Sequence, residues 1–290
     1  MALFHLEIES EYLGANTDVH VIMPDKPRTV SAKDFYAADK KYRVLWLLHG
    51  TFGGYSDWIR KSNIELYACE KDLIVVMPGI GNADYSNWDN FTLGYDAEKY
   101  IVDELMPMIY GWIPASSARE DNFIAGLSMG GKGTLQFAIM YPHLFAKAAV
   151  LSFMPTDLEA EKESFKQLYD MNPSEVYQNQ DVMHSTQRQY NVMHKYNSFE
   201  EYMDSSYNLW KKLAEADKEE LPDLFFSVGT EDPLISPGVV EDFQAYLKQL
   251  GIEAIFETGP GSHEWRVWER DIQKAFDFFD LDHDTKGNAF

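Results

Sequence analysis

Short apolar runs alternate along the chain with amphipathic, helix-like runs, which is the pattern of a mostly parallel sheet with helices on both faces. Two N-terminal runs, residues 4–10 and 19–23, predict the strands of an antiparallel edge. Further apolar runs predict buried strands at residues 43–48, 73–77, 122–125, 148–151, 224–228 and 254–257. Helices are predicted between them, for example over residues 98–110, 237–250 and 265–279. The pattern therefore predicts an α/β fold.

The segment from Pro155 to Leu221 interrupts this alternation with a long polar and aromatic stretch. Its Ser198-Phe199-Glu200-Glu201 fits a capping box. Apolar side chains then recur at helical spacing: Phe199, Tyr202, Met203, Leu209, Trp210 and Leu213. We expect one α/β domain over residues 1–290, with 155–221 as a helical cap over the carboxyl ends of the strands. The alternative is that these helices pack on the scaffold, away from substrate.

Composition restricts the class of protein. A length of 290 residues suits one large α/β domain. No apolar run approaches the 18 or more residues of a membrane span, so we expect no membrane association. Cys69 is the single cysteine and rules out an internal disulfide. The N-terminus alternates polar and apolar residues and lacks the features of a signal peptide. A cytoplasmic location is the expectation.

The chain is strongly acidic, with 47 acidic and 25 basic side chains and a formal charge of −22. Such an excess disfavours nucleic acid and anionic membranes as partners. One interpretation is that this charge serves solubility. The alternative is a field that repels anionic substrates, which would mildly favour neutral esters over acidic ones.

The most informative stretch is Gly126-Leu127-Ser128-Met129-Gly130, which follows a predicted strand and precedes a predicted helix. This is the G-x-S-x-G of a nucleophile elbow, where a strained turn raises the serine Oγ above the sheet. The glycines omit side chains that would clash where strand and helix approach each other. The sequence thus predicts Ser128 as a nucleophile.

Three further predicted strands end in residues that a serine hydrolase needs. His49-Gly50-Thr51 follows residues 43–48, Asp232 follows 224–228, and His263 follows 254–257. The order Ser128, Asp232, His263 is that of the α/β hydrolases. Backbone N–H groups of Thr51 and Met129 are the predicted oxyanion hole.

The choice between two adjacent acids, Glu231 and Asp232, is less direct. Pro233 restricts Asp232 to an extended backbone, which holds its carboxylate outward from the strand end. Asp232 is therefore the predicted triad acid. His49 precedes the glycine turn and is expected to shape the oxyanion loop, because His263 already fills the role of base.

Together these motifs resemble the bacterial tributyrin esterase and esterase D-like group of α/β hydrolases, whose relatives are S-formylglutathione hydrolases and feruloyl esterases. The resemblance rests on Asp121 to Gly131, His49-Gly50-Thr51, Gly229 to Asp232 and Gly261 to Trp265. It covers about residues 40 to 275 and implies the α/β-hydrolase fold with a helical insertion. S-formylglutathione hydrolases usually carry Ser-Gly-Leu-Thr-Cys at the oxyanion loop, where this chain has His49 to Gly53. The difference favours a simple carboxylesterase.

We therefore expect a serine carboxylesterase that hydrolyses short-chain acyl esters without a cofactor or metal. Tyr85, Trp88 and Trp210 are predicted to line the substrate pocket, with Phe91 as another candidate. Feruloyl or cinnamoyl esterase, S-formylglutathione hydrolase and acyltransferase activities use the same triad and remain open, as does a homo-oligomeric state. A non-catalytic binding protein on this fold is disfavoured by the intact triad. His184 and His194 lie in the insertion without a third ligand in any metal-site pattern.

Overall fold

The computed structural model describes residues 2–88, 94–178 and 184–281. Its centre is an eight-stranded sheet in the order β1-β2-β4-β3-β7-β8-β9-β10, beside a two-stranded ribbon of β5 and β6. The strands are β1 (Ala2–Ser10), β2 (Ala15–Met23), β3 (Val44–Leu48), β4 (Ile74–Pro78), β5 (Asn87–Trp88), β6 (Tyr95–Asp96), β7 (Asn122–Leu127), β8 (Lys147–Leu151), β9 (Asp223–Gly229) and β10 (Ala254–Gly259). Every strand predicted from an apolar run is present.

The predicted antiparallel edge is confirmed. Strand β1 pairs antiparallel with β2, and β2 pairs antiparallel with β4. From β4 to β10 all neighbours are parallel. The carboxyl ends of these parallel strands therefore meet at one edge of the sheet, where ligands of such folds bind.

Helices cover both faces of the sheet because buried side chains of β3 alternate between two apolar cores. Val44, Trp46 and Leu48 face one core, whereas Leu45 and Leu47 face the other. The helices of the described residues are α1 (Ala32–Ala37), α2 (Asp57–Lys61), α3 (Ile64–Glu70), α4 (Ala97–Lys99), α5 (Met106–Trp112), α6 (Met129–Met140), α7 (Lys162–Tyr169), α8 (Pro173–Tyr177), α9 (His184–Met193), α10 (Phe199–Met203), α11 (Leu209–Glu215), α12 (Pro237–Leu250) and α13 (Trp265–Phe278). Helices α2, α3 and α13 cover the second face. None of the described helices is both long and apolar enough to cross a membrane.

The helix predicted over residues 98–110 is divided. A π-helix over Tyr100–Leu105 joins α4 to α5. Pro107 explains the wider turn, because its ring lacks the N–H that an α-helix would donate to the carbonyl four residues earlier. The backbone N–H of Met106 instead donates to the Ile101 carbonyl.

The segment 155–221 is helical, as predicted, and consists of α7 to α11. It has a small apolar core of its own: Leu158, Val192, Met193, Phe199, Tyr202 and Met203. The predicted capping box forms only in part. Ser198 Oγ accepts from the Glu201 N–H at 3.1 Å, but the Glu201 carboxylate accepts from the N–H of Asn197 at 3.0 Å. Buried Asn208 then caps a separate helix, α11, so the apolar spacing spans two helices.

Candidate active site

Ser128 lies in the turn between β7 and α6 with φ 54° and ψ −116°. A positive φ is uncommon for a residue with a side chain and marks a strained turn. The turn is held by the backbone, since the Ser128 N–H donates to the Leu151 carbonyl of β8 at 2.8 Å. The side chain is thereby fixed at the carboxyl edge of the sheet.

Glycine is required on both sides of this serine. A Cβ on Gly126 would lie 2.4 Å from the carbonyl oxygen of Gly130. A Cβ on Gly130 would lie 2.6 Å from the carbonyl oxygen of Leu48. Both contacts are impossible for real atoms, so the predicted close approach of strand and helix is confirmed. The G-x-S-x-G spacing follows from backbone packing.

Asp232 and His263 form a hydrogen-bonded pair. The Nδ1 of His263 lies 2.8 Å from Oδ2 of Asp232, whose side chain is fully buried. The other carboxylate oxygen of Asp232 accepts from the Leu234 N–H at 2.9 Å. A carboxylate accepts only, so Nδ1 of His263 carries the proton and Nε2 is left as the basic nitrogen. The indole of Trp268 packs edge-on against the imidazole at 5.1 Å.

Glu231 occupies a different environment from its neighbour. It is exposed, and its Oε2 accepts from the Gly261 N–H at 2.6 Å. This bond ties the end of β9 to the loop that carries His263. Glu231 therefore supports the position of the histidine loop and does not contact the imidazole.

One cleft of about 360 Å³ contains Ser128, His263, Thr51 and Met129 in its lining. The structure thus brings together the residues that the sequence predicts as the nucleophile, the base and the oxyanion donors. Within the described residues, neither the Thr51 N–H nor the Met129 N–H has a hydrogen-bond acceptor. Two unpaired backbone donors at the cleft are suited to an oxyanion.

The loop that carries Thr51 is held by four side chains. His49 Nδ1 donates to the Gly50 carbonyl at 2.8 Å, and its Nε2 accepts from the Ile80 N–H at 3.3 Å. Burial lowers the pKa of His49, which fits this neutral tautomer. The Tyr85 hydroxyl donates to the His49 carbonyl at 3.0 Å, and Asn82 Oδ1 accepts from the Phe52 N–H at 2.8 Å. Trp58 Nε1 donates to the Leu48 carbonyl at 3.1 Å.

The three aromatic residues predicted to line the pocket do not line this cleft. Tyr85 is completely buried beneath the loop that carries Thr51, where its hydroxyl donates to the His49 carbonyl. Trp88 borders an adjoining cleft and donates to the Ala83 carbonyl at 2.8 Å. Trp210 stacks on Tyr246 of α12 at 4.2 Å, on the scaffold. Phe91 lies outside the described residues.

The insertion nevertheless contributes much of the described lining, through Phe165, Arg188, Gln189, Val192, Tyr202 and Tyr207. From the scaffold, Asp84 and Lys132 add charged groups to the same cleft. Sequence reasoning placed Tyr202 in the predicted cap and missed the other residues. Lys132 follows Ser128 by four positions, one helical turn, and that spacing is the signal that could have found it.

A family model described as "Putative esterase" matches residues 10–279. Among curated proteins, the chain is 28% identical to an acetyl esterase of Caldicellulosiruptor saccharolyticus, over 96% of this chain and 98% of that protein.

Solved structures show the same similarity. An S-formylglutathione hydrolase from Staphylococcus aureus matches with a TM-score of 0.74 and 26% identity, over 96% of this chain and 98% of that one. The fluorophosphonate-binding serine hydrolase F of the same organism, with substrate bound, matches with a TM-score of 0.74 and 28% identity, over 97% and 99% of the two chains. A ferulic acid esterase at 19% identity and a TM-score of 0.68, covering 96% of each chain, shares the fold. The chain therefore belongs to this esterase family, has the α/β-hydrolase fold and is a carboxylic ester hydrolase.

Proposed function

We propose that the enzyme is a serine esterase that hydrolyses short-chain acyl esters through an acyl-enzyme on Ser128. The observation that carries this proposal is the Asp232–His263 hydrogen bond of 2.8 Å, with the histidine in the same cleft as the strained serine. Asp232 fixes the proton on Nδ1 and leaves Nε2 to act as general base. The catalytic roles of all three residues are part of the proposal.

In the first half-reaction, Ser128 Oγ attacks the ester carbonyl carbon and His263 Nε2 takes the serine proton. The carbonyl oxygen becomes an oxyanion, which the N–H groups of Thr51 and Met129 stabilise. The tetrahedral intermediate then collapses, the bond to the alcohol oxygen breaks, and His263 donates its proton to the leaving alcohol. Water, activated by His263, attacks the acyl-enzyme and releases the carboxylic acid and free Ser128.

Two observations support short acyl groups. The cleft volume of about 360 Å³ is near the lower end for ligand sites. The curated relative that matches over nearly the full length is an acetyl esterase. Thioester hydrolysis is the second candidate, because a solved neighbour at 26% identity is an S-formylglutathione hydrolase.

We also propose that residues 155–221 act as a cap within a single domain, since α7, α9 and α10 each contribute to the cleft lining. A small-molecule ester is the substrate that the family implies. The cytoplasmic location, the absence of nucleic-acid and membrane partners and the homo-oligomeric state stay predictions from the sequence.

The central test is hydrolysis of p-nitrophenyl acetate by Ser128→Ala. We expect a loss on the order of 10⁶ in kcat, because the nucleophile is removed and only oxyanion and binding effects remain. Ser236→Ala is the matched control, since that hydroxyl is exposed and makes no cap hydrogen bond. Mass spectrometry of acid-quenched wild-type enzyme should find the acetyl group on Ser128. A folded Ser128→Ala variant that retains a tenth of the activity would contradict the proposal.

A substrate panel separates the two candidate reactions. Acetyl to butyryl p-nitrophenyl esters should give the highest kcat/KM, with a broad optimum because each methylene contributes only about 1–3 kcal/mol. S-formylglutathione is assayed beside them. A maximum at C12 or longer would exclude the short-chain proposal, and a dominant kcat/KM for the thioester would favour the second candidate.

A further inference from the structure

We infer that Asp84 and Tyr207 form a subsite for a hydroxyl group of the substrate, which makes the esterase selective for hydroxylated esters. Both residues line the Ser128 cleft, together with Lys132. The inference rests on the proposed function, since it takes this cleft as the place where the ester binds. It adds a specificity determinant that is separate from the triad and the oxyanion hole.

Lys132 places this group next to the nucleophile. Its backbone N–H donates to the Ser128 carbonyl at 3.0 Å, so it lies on the first turn of α6. Its buried ammonium donates to the Asp84 carbonyl at 3.0 Å, to Ser86 Oγ at 3.0 Å and to Gln136 Oε1 at 2.6 Å. An ammonium has three protons, so all of its donors are used within the protein. Lys132 therefore positions Asp84 and has no proton left for a ligand.

Asp84 is held in the cleft by a strained turn. Asp84 and Tyr85 are consecutive residues with φ of 59° and 51°, and such positive values are rare for residues other than glycine. The buried Tyr85 ring and the Lys132 bond to the Asp84 carbonyl fix this turn. Strain of this kind concentrates at functional positions. The Asp84 side chain remains 16% exposed, with its Oδ2 3.4 Å from the Lys132 ammonium.

The carboxylate of Asp84 has spare acceptor capacity. Among the described residues, the Lys132 ammonium lies 3.4 Å from its Oδ2 and the Tyr207 phenol also lies beside it, which leaves further lone pairs of the carboxylate for a ligand. That ammonium balances the negative charge, so the subsite does not act mainly as a cation trap. A neutral hydrogen-bond donor is the ligand group that such an acceptor accommodates.

Tyr207 supplies the complementary donor. Its hydroxyl oxygen is buried and makes no hydrogen bond of good geometry among the described residues, although Asp84 and Ser86 lie beside it. Burial raises the pKa of Tyr207 well above its usual value, so the phenol keeps its proton. The ring contacts two ammonium groups, with Lys132 at 4.0 Å and Lys195 at 4.8 Å from its centroid. A buried hydroxyl without a partner is unfavourable, and a ligand that accepts its proton removes that cost.

A donor beside an acceptor matches one chemical group in particular. An alcohol hydroxyl accepts from the Tyr207 phenol and donates to the Asp84 carboxylate. A methyl group would supply neither a donor to Asp84 nor an acceptor to Tyr207, and a carboxylate would be repelled by Asp84. The hydroxyl can belong to the acyl chain or to the alcohol of the ester. The chemistry is the same, and paired substrates distinguish the two sources.

The test compares kcat/KM within two substrate pairs. The acyl pair is p-nitrophenyl butyrate and p-nitrophenyl 3-hydroxybutyrate. The alcohol pair is propyl acetate and 2,3-dihydroxypropyl acetate. We expect the wild-type enzyme to prefer the hydroxylated member of one pair by roughly tenfold, about the free energy of one hydrogen bond. The responding pair identifies the side of the ester that the subsite contacts.

Tyr207→Phe should reduce that preference to near unity. Its melting temperature should equal or exceed that of the wild type, because the substitution removes an unpaired buried hydroxyl. Tyr190→Phe is the matched control, as its hydroxyl donates to the Met171 carbonyl at 3.3 Å and it does not line the cleft. Asp84→Asn, which keeps an acceptor but removes the charge, should retain part of the preference.

Three outcomes would overturn the inference. The first is a wild-type ratio near unity in both pairs. The second is a Tyr207→Phe variant whose kcat/KM falls by the same factor for both members of a pair. The third is a marked fall in its melting temperature, which would show that the hydroxyl is bonded within the free protein. Failure of the proposed function would give a different result, because the Ser128→Ala variant would then still hydrolyse esters without a hydroxyl, such as p-nitrophenyl acetate.

Discussion

At the scale of single residues, the two acids at the end of β9 differ in what their carboxylates contact. Asp232 is buried and bonded to the His263 imidazole, whereas Glu231 is exposed and bonded to a backbone N–H. An Asn at position 232 would present an amide where the imidazole needs an acceptor, and would favour the wrong tautomer. A Gln at position 231 keeps an oxygen for the Gly261 N–H.

We therefore predict that Asp232→Asn lowers kcat by about 10⁴, while Glu231→Gln costs less than about tenfold. Both variants are assayed on p-nitrophenyl acetate after circular dichroism has shown that they are folded. Each variant is the control for the other, since each changes one acid to its amide in the same loop. A larger loss for Glu231→Gln would reassign the triad acid.

Among the structural elements, β7 determines the position of Ser128, which follows it directly. The first residue of β7 is held in place by its side-chain amide. Asn122 is fully buried. Its Nδ2 donates to the carbonyls of Ser116 and Ala118 at 2.9 and 2.8 Å. Its Oδ1 accepts from Trp46 Nε1 at 3.0 Å and from the Tyr110 hydroxyl at 2.8 Å. The side chain thus joins β3, β7 and α5 with every hydrogen-bonding position used.

Asn122→Ala should lower the free energy of unfolding by about 3 kcal/mol, because it leaves two buried donors and two carbonyls without partners. Urea unfolding measures the change. Asn16→Ala is the control, since Asn16 is exposed and its side-chain amide makes only a weak hydrogen bond of 3.5 Å, to Glu7, within the described residues. A loss below about 0.5 kcal/mol would show that water or rearranged side chains replace these bonds.

The elements also show what could be predicted from the sequence. The apolar pattern located all eight strands of the sheet. The central strands β3, β4, β7, β8 and β9 have continuous apolar residues because both of their faces are buried, whereas the edge strand β1 is largely exposed and alternates polar and apolar residues. The turn at Ser128 and the residues that we propose as the triad followed from short local motifs. By contrast, Trp210 is an aromatic residue on a helix, and nothing local indicates whether it faces substrate or α12. Lys132 lies one helical turn after Ser128, which is a sequence signal, but its contact with the loop that carries Asp84 could not be predicted from the sequence.

At the scale of the whole molecule, the formal charge of −22 is the dominant property. An anionic substrate approaches against this field, and a neutral one does not. We predict that 4-acetoxybenzoate has a lower kcat/KM than phenyl acetate at low ionic strength. The ratio should move towards unity between 10 and 200 mM NaCl, because the Debye length falls from about 30 Å at 0.01 M to about 8 Å at 0.15 M.

Phenyl acetate itself is the internal control for salt effects on the enzyme. The same salt series, followed by thermal unfolding, reports on self-repulsion, and the melting temperature should rise as the charges are screened. A ratio that does not depend on salt would mean that the local charges of the cleft, not the net charge, govern substrate approach.

The backbone angles of Ser128 have a consequence for how this protein can evolve and be engineered. A residue with a side chain is held at φ 54° only because the strands on either side and the packing of α6 oppose its relaxation. Glycine would occupy that position with less strain, so the most stable residue at position 128 differs from the proposed nucleophile. Selection for thermal stability alone would drift away from this serine. Libraries aimed at robustness should therefore hold position 128 fixed and seek stabilising changes in helices far from the carboxyl edge of the sheet.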